Sequence, residues 1–209
     1  MVVNVEEDIR AIANRYAEQL SKKVAKRVLD MDSDDTSHFL IYRVLGVSEN
    51  EGRNIDVYQN KGRFLYRYAG AFLEEATKVC FKSRFPGAKT IKVDNTRGSK
   101  PKTFEIDIAD EVSKVGIEVK WRDATTDGDH ITKEHTRLLA VKDAGYTPIR
   151  VMYYYPNREQ ALRVQRALAS LYREAGGQYF AGEEAWQFVV DKTGVDLLRI
   201  LTELAEEKT

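Results

Sequence analysis

The sequence predicts a mixed α/β (α+β) domain: a helix, a three-strand meander, a second helix and a fourth strand, preceded by a helical region and followed by further helices. Three observations predict it. Apolar residues recur every three or four positions over residues 5–29 and 64–85, the period of a helix buried along one stripe. The pattern then changes to short runs rich in β-branched and aromatic residues at 90–94, 103–109 and 115–121. Turn-forming residues stand at the joints, with Pro86-Gly87 after the helix, residues 95–100 between strands, and Gly145 after the next helix.

Taken in order, residues 5–29 carry Ile9, Ile12, Ala13, Tyr16, Leu20, Val24 and Val28 on one stripe, and the acidic stretch 30–35 ends that helix. Residues 38–45 read as a short helix, and Ser48 with Glu51 forms a capping box for another running towards Asn60. The helix at 64–85 has its stripe at Tyr68, Phe72, Ala76 and Val79. After the three strands, 129–144 is a helix, 148–155 a strand, 157–175 a helix, and 189–207 is mostly helix. The expected organisation is a helical N-terminal region, 1–60, and one compact unit, 61–209.

With 209 residues and 43% hydrophobic content the chain can bury one good core or two small ones. It has no run of eighteen apolar residues, so no membrane partner is expected. A single cysteine, Cys80, excludes an internal disulfide, and the charged start (Glu6, Glu7, Asp8) lacks a signal peptide's apolar core, which makes the cytoplasm the expected location. The net charge is zero, but it is unevenly spread: residues 61–102 hold 11 basic and 3 acidic residues, whereas 1–60 hold 8 and 11, and 174–209 hold 3 and 8. A local excess of eight positive charges is what phosphate binding needs, and Arg97, Lys100 and Lys102 lie at its end.

Asp107, Glu118 and Lys120 stand where aliphatic residues are expected in apolar strands. Alternation puts Glu118 and Lys120 on one face of their strand and Ile117, Val119 and Trp121 on the other. A tight turn at Val112-Ser113 sets Asp107 opposite Glu118, since 112 + 113 and 107 + 118 both equal 225. Two carboxylates across a strand pair repel unless a cation or shared proton relieves them, which points to a divalent metal; Mg²⁺ suits one or two carboxylates and retained waters. The competing reading makes Glu118 and Lys120 the solvated side of an amphipathic strand, but the apolar flanks Val115, Ile117 and Val119 argue for burial.

Asp107 followed after a short hairpin by Glu118-Val119-Lys120 resembles the signature of the PD-(D/E)xK nucleases, with Ile106 where that signature has proline. Within that superfamily, residues 118–137 are similar to type II restriction endonucleases of the ApaLI-like group, and the resemblance covers about residues 64–155. It implies a restriction-endonuclease-like core in a prokaryotic cytoplasm. The implied activity is Mg²⁺-dependent cleavage of double-stranded DNA at a specific short palindromic sequence by a homodimer, with a cognate DNA methyltransferase acting on the same site. Asp107, Glu118 and the carbonyl of Val119 would then hold Mg²⁺, and Lys120 would orient the attacking water or neutralise the phosphorane. A further acid is expected from the preceding helix; Glu74 and Glu75 both qualify, and Glu75, on the apolar stripe between Phe72 and Val79, is favoured over Glu74, which has Lys78 as a surface partner.

For DNA contact the reading selects Arg122, Asp123, Thr125, Thr126, Asp127, His130, Lys133 and Arg137, which leave the catalytic strand and enter a helix, together with Arg97, Lys100 and Lys102. Each also has an ordinary loop or capping reading, and Asp129 is expected to be an N-cap. His130 and His135 do not form a zinc site, and His38 is expected to be structural. The run Tyr153-Tyr154-Tyr155 reads as packing or as base stacking. Two alternatives remain open at this level: a structure-specific nuclease acting on branched DNA, and a non-catalytic DNA-binding module whose carboxylates form a structural ion network.

Overall fold

The computed structural model describes residues 4–122 and 128–208, with side chains from 131 onward in the second span. Its elements are α1 (Val5–Met31), α2 (Phe39–Val44), α3 (Glu49–Arg84), β1 (Lys89–Asp94), β2 (Thr103–Asp110), β3 (Val115–Arg122), α4 (Gly128–Asp143), β4 (Thr147–Tyr154), α5 (Glu159–Glu174), β5 (Gln178–Ala181), α6 (Glu183–Thr193) and α7 (Leu197–Glu206). Among the described residues no helix is long and apolar enough to cross a membrane.

Two compact units divide the chain, Ala11–Phe72 on one side and Met1–Arg10 with Leu73–Thr209 on the other. The first unit is helical. Tyr16 packs edge-on against Tyr68 and Phe72, each at 6.1 Å between ring centres. Asp56 accepts from the Tyr42 hydroxyl at 2.9 Å and lies 3.1 Å from Nε2 of the exposed His38. Ser48 Oγ accepts the Glu51 N–H at 3.2 Å, one half of the expected capping box. The helix begun there does not stop at Asn60: α3 continues to Arg84 as one element of 36 residues. Gly62 weakens a helix without ending it, and no proline intervenes before Pro86.

The second unit is built on a sheet of order β1-β2-β3-β4-β5, antiparallel across the first three strands and parallel across the rest. The helix, meander, helix, strand order of the sequence reading is present. One face of the sheet carries Phe104, Ile106 and Ala109, buried with Ala140 and Val141 of α4. A Cβ at Gly116 would stand 3.2 Å from Val141 and 3.3 Å from Ile106, so a glycine there lets α4 lie close. The other face packs on Phe81 of α3 and on α6, with Phe81 and Phe188 at 6.1 Å and Tyr153 and Trp186 at 4.2 Å. With both faces covered, the central strands are buried through consecutive positions, as in parallel-type sheets.

The β2–β3 hairpin keeps the expected register through a wider turn. Ile108 pairs with Ile117, Ala109 with Gly116 and Asp110 with Val115, each sum being 225. The turn spans 111–114. Asp110 accepts from the Ser113 N–H at 3.0 Å and the Ser113 hydroxyl at 2.5 Å, and Lys114 closes it with φ of 53°. At the C-terminus the sequence reading missed β5, a strand of four residues enclosed by Gly177 and Gly182, and merged two helices. Gly194, at φ of 74°, ends α6, and Asp196 caps α7 by accepting the Arg199 N–H at 2.9 Å.

Candidate active site

Asp107 and Glu118 each lie one residue beyond Ile108↔Ile117, the last pair of the β2–β3 ladder. They are 7% and 6% exposed, which removes the reading of Glu118 as a solvated strand face. An extra residue in β2 places Asp107. The β1–β2 ladder runs at a sum of 197 from Asp94↔Thr103 to Ile91↔Ile106, then shifts to 198 at Lys89↔Ala109, so Asp107 and Ile108 together face Thr90. This is a β-bulge, the device by which strands re-aim a side chain. It also explains how Ile106 and Ala109, of opposite parity, share one buried cluster. The Asp107 carboxylate turns towards β3, where Oδ2 accepts the Val119 N–H at 2.8 Å.

Glu118 Oε1 accepts hydrogen bonds from Lys120 Nζ and from Arg137 Nη1. Arg137 also lies 3.5 Å from Glu134, and Glu134 accepts from Arg150 at 2.6 Å. The charges thus alternate from Lys120 through Glu118, Arg137 and Glu134 to Arg150, the last two buried. Register makes Arg150 the β4 neighbour of Glu118. Helix α4 presents Glu134, Arg137, Leu138 and Val141 at three-and-four spacing, and Leu138 and Val141 are buried, so the two charged residues lie on the stripe that faces the sheet.

Burial first, and then the charge of Glu118, raise the Asp107 carboxyl to about 7 against the opposing effect of Lys120. Glu74 of α3 also raises it, so Glu74 is a helical acid whose charge acts on Asp107, although the spacing argument favoured Glu75. Glu74 lies 3.4 Å from Lys78, and Glu74 and Glu75 are both half-buried. Burial opposes the charge of Arg137, but Glu118 and Glu134 prevail and hold its guanidinium above the ordinary value.

The donor set fits a hard divalent cation. Two buried carboxylates on adjacent strands, one of them raised by the charge of the other, form a pair that a cation stabilises. Among the described residues no group of three or more His, Cys, Asp or Glu is placed to hold a metal.

The remaining expected residues separate into groups. Arg137 was expected to face the duplex and instead lies against Glu118, three-quarters buried. Arg97 holds Asp143 of α4 in a bidentate pair at 2.6 and 2.7 Å, a clamp that also uses Thr96. Lys100, Lys102, Arg122 and Lys133 are exposed. Asp123, Thr125, Thr126, Asp127, and the side chains of Asp129 and His130 lie outside the described residues. Sequence reasoning missed Glu134 and Arg150; the position of Glu134 four residues before Leu138 and seven before Val141 was the available signal.

A family model described as ApaLI-like restriction endonuclease matches residues 1–206. No curated protein and no solved structure matches the chain.

Proposed function

The chain belongs to the ApaLI-like restriction endonuclease family, and from that premise we propose that it is a type II enzyme hydrolysing double-stranded DNA at one short palindromic sequence with Mg²⁺. A restriction endonuclease is a deoxyribonuclease, so the family supplies the reaction class and the substrate. The observation that carries the metal-dependent reading is the burial of Asp107 and Glu118 on neighbouring strands, with Asp107 bonded to the Val119 N–H and Lys120 bonded to Glu118.

In this reading Asp107, Glu118 and the Val119 carbonyl hold Mg²⁺, which when bound polarises the scissile phosphate and acidifies a water. Lys120, two residues along the strand from Glu118, supplies a compact positive charge to orient the water or offset charge gathering on the phosphate. Arg137 fixes the Glu118 carboxylate from the helix side, and Glu134 and Arg150 hold Arg137 in turn. Glu74 is the third acid we favour over Glu75, and metal titration of the two Gln variants separates them. Arg122, Lys133, Lys100 and Lys102, all exposed, are the described candidates for DNA contact. A homodimer whose two-fold axis matches the palindrome is part of the proposal, as is a methyltransferase that protects the same sequence. The exposed Leu40, Ile41, Val44 and Leu45 around α2 support pairing through the N-terminal region.

The test is incubation of the purified protein with unmethylated phage DNA and Mg²⁺, beside Glu118→Ala and a Ca²⁺ control. Discrete fragments from wild type alone are expected. Intact linear DNA together with cutting of four-way junctions would replace this reading with a structure-specific nuclease. Cleavage retained in Glu118→Ala would refute the site.

A further inference from the structure

Beyond Lys120 the β3–β4 strand pair ends in a groove of about 440 Å³. Trp121 and Arg122 line it from β3, Tyr154 from β4, and Tyr155, Asn157 and Arg158 from the segment after β4. Arg122 pairs with Tyr154 two residues past the Lys120–Met152 pair. At 3.3 Å per residue the groove therefore opens about 7 Å along the strands from the lysine.

Its walls are aromatic and cationic. Trp121 and Tyr154 meet edge to face, their ring centres 6.4 Å apart at 79°. The Arg122 guanidinium lies 5.6 Å from the Trp121 ring centre. The three consecutive tyrosines divide here: Tyr153 is buried at 1% exposure, while Tyr154 and Tyr155 are 51% and 42% exposed. Among the described residues no acidic side chain lines the groove, and Arg158 makes no ion pair. Exposed aromatic faces beside guanidinium groups recognise the π-face of a nucleobase and the phosphate attached to it. A base inside a duplex has both faces covered by its neighbours, so the fitting ligand is a nucleotide outside the stack.

We infer that this groove stacks an unpaired nucleotide of the DNA substrate beside the bond that is cut. Its position beside the bond that is cut rests on the proposed role of Asp107, Glu118 and Lys120; the nucleotide site itself does not. Fluorescence anisotropy of end-labelled single-stranded (dT)8 in EDTA reads the groove without cleavage. Wild type should bind it, Tyr154→Ala and Arg158→Ala should each weaken binding about tenfold, and Tyr154→Phe should retain it. An unlabelled eight-base-pair duplex should compete less well than unlabelled (dT)8. Both positions are exposed, and a melting curve of each variant checks that it is folded. Absence of (dT)8 binding, equal affinity in the Ala variants, or a duplex that competes as well as the single strand would overturn the inference. Plasmid cleavage with Mg²⁺ by a wild type that ignores (dT)8 would overturn it alone. Groove-dependent (dT)8 binding without Mg²⁺ cleavage would support it and remove the catalytic reading instead.

Discussion

The Thr90 hydroxyl donates a 2.9 Å hydrogen bond to the Asp107 carbonyl at the point where β2 carries one residue more than β1. A bulge interrupts the ladder, and Thr90 gives the Asp107 carbonyl a donor there. The side chain of Asp107 is aimed by the backbone that this bond holds. Thr90→Val should lower stability by about 1 kcal/mol and Ca²⁺ affinity by about tenfold, and Thr90→Ser should restore both. Calorimetric titration with Ca²⁺ decides it: a lowered melting temperature with unchanged affinity would mean that Thr90 only stiffens the sheet.

Asp107 costs the fold stability at neutral pH. Its carboxyl is raised from 3.8 to about 7, so the stabilisation is present below about pH 4 and is lost as pH rises through about 7. The full difference is on the order of 4 kcal/mol. Without metal at pH 8, Asp107→Asn should therefore melt about 10 °C above wild type, and the gap should shrink towards pH 4. Cleavage by that variant should be lost. Melting curves from pH 4 to 8 in EDTA test the sign, and a variant that is less stable at pH 8 would contradict it.

Glu134 lies between two guanidinium groups, bonded to Arg150 at 2.6 Å and 3.5 Å from Arg137. Removing one partner of a buried pair leaves an uncompensated charge, here that of Arg150 at 2% exposure, and costs about 3–5 kcal/mol. Glu134→Gln should lower the melting temperature by about 10 °C. It should also slow cleavage, because Arg137 loses the residue that holds it against Glu118. Pairing Glu134→Gln with Arg150→Met should recover much of the stability, and failure to recover any would show that the two residues are not coupled.

The hairpin register was legible because it depends on turn length, and the 111–114 turn, centred on Val112 and Ser113, gives the same sum as a tight turn there. The bulge at Asp107 was not, because Ile106-Asp107-Ile108-Ala109 reads as ordinary alternation and an extra residue leaves no mark in composition. The bond from Arg137 to Glu118 was hidden for a related reason. A charged residue in a helix after a catalytic strand suggests a DNA contact, and only the packing of α4 on β3 and β4 reveals that it meets Glu118 and that Glu134 meets Arg150. The preference for Glu75 rests on its place on an apolar stripe, whereas the charge that acts on Asp107 is that of Glu74, which spacing along a helix does not reveal. β5 escaped because four residues between Gly177 and Gly182 carry too little periodicity.

Metal affinity should follow the Asp107 carboxyl. A divalent cation takes the ionised form, so below about pH 7 binding must release a proton, and above it none. Ca²⁺ affinity in the proposed site is therefore expected to rise about tenfold per pH unit between pH 5 and 6.5 and to level off by pH 8. In buffers of different ionisation enthalpy, calorimetry should count close to one proton released per Ca²⁺ at pH 6 and few at pH 8. The like charge on Glu118 adds to the effect, since the bound cation offsets the repulsion that, after burial, raises Asp107, and so draws the proton off. Flat affinity from pH 5 to 8 in wild type would mean that Asp107 is ionised throughout and that Lys120 and Arg137 already neutralise the pair; flat affinity in Asp107→Asn alone is the expected control.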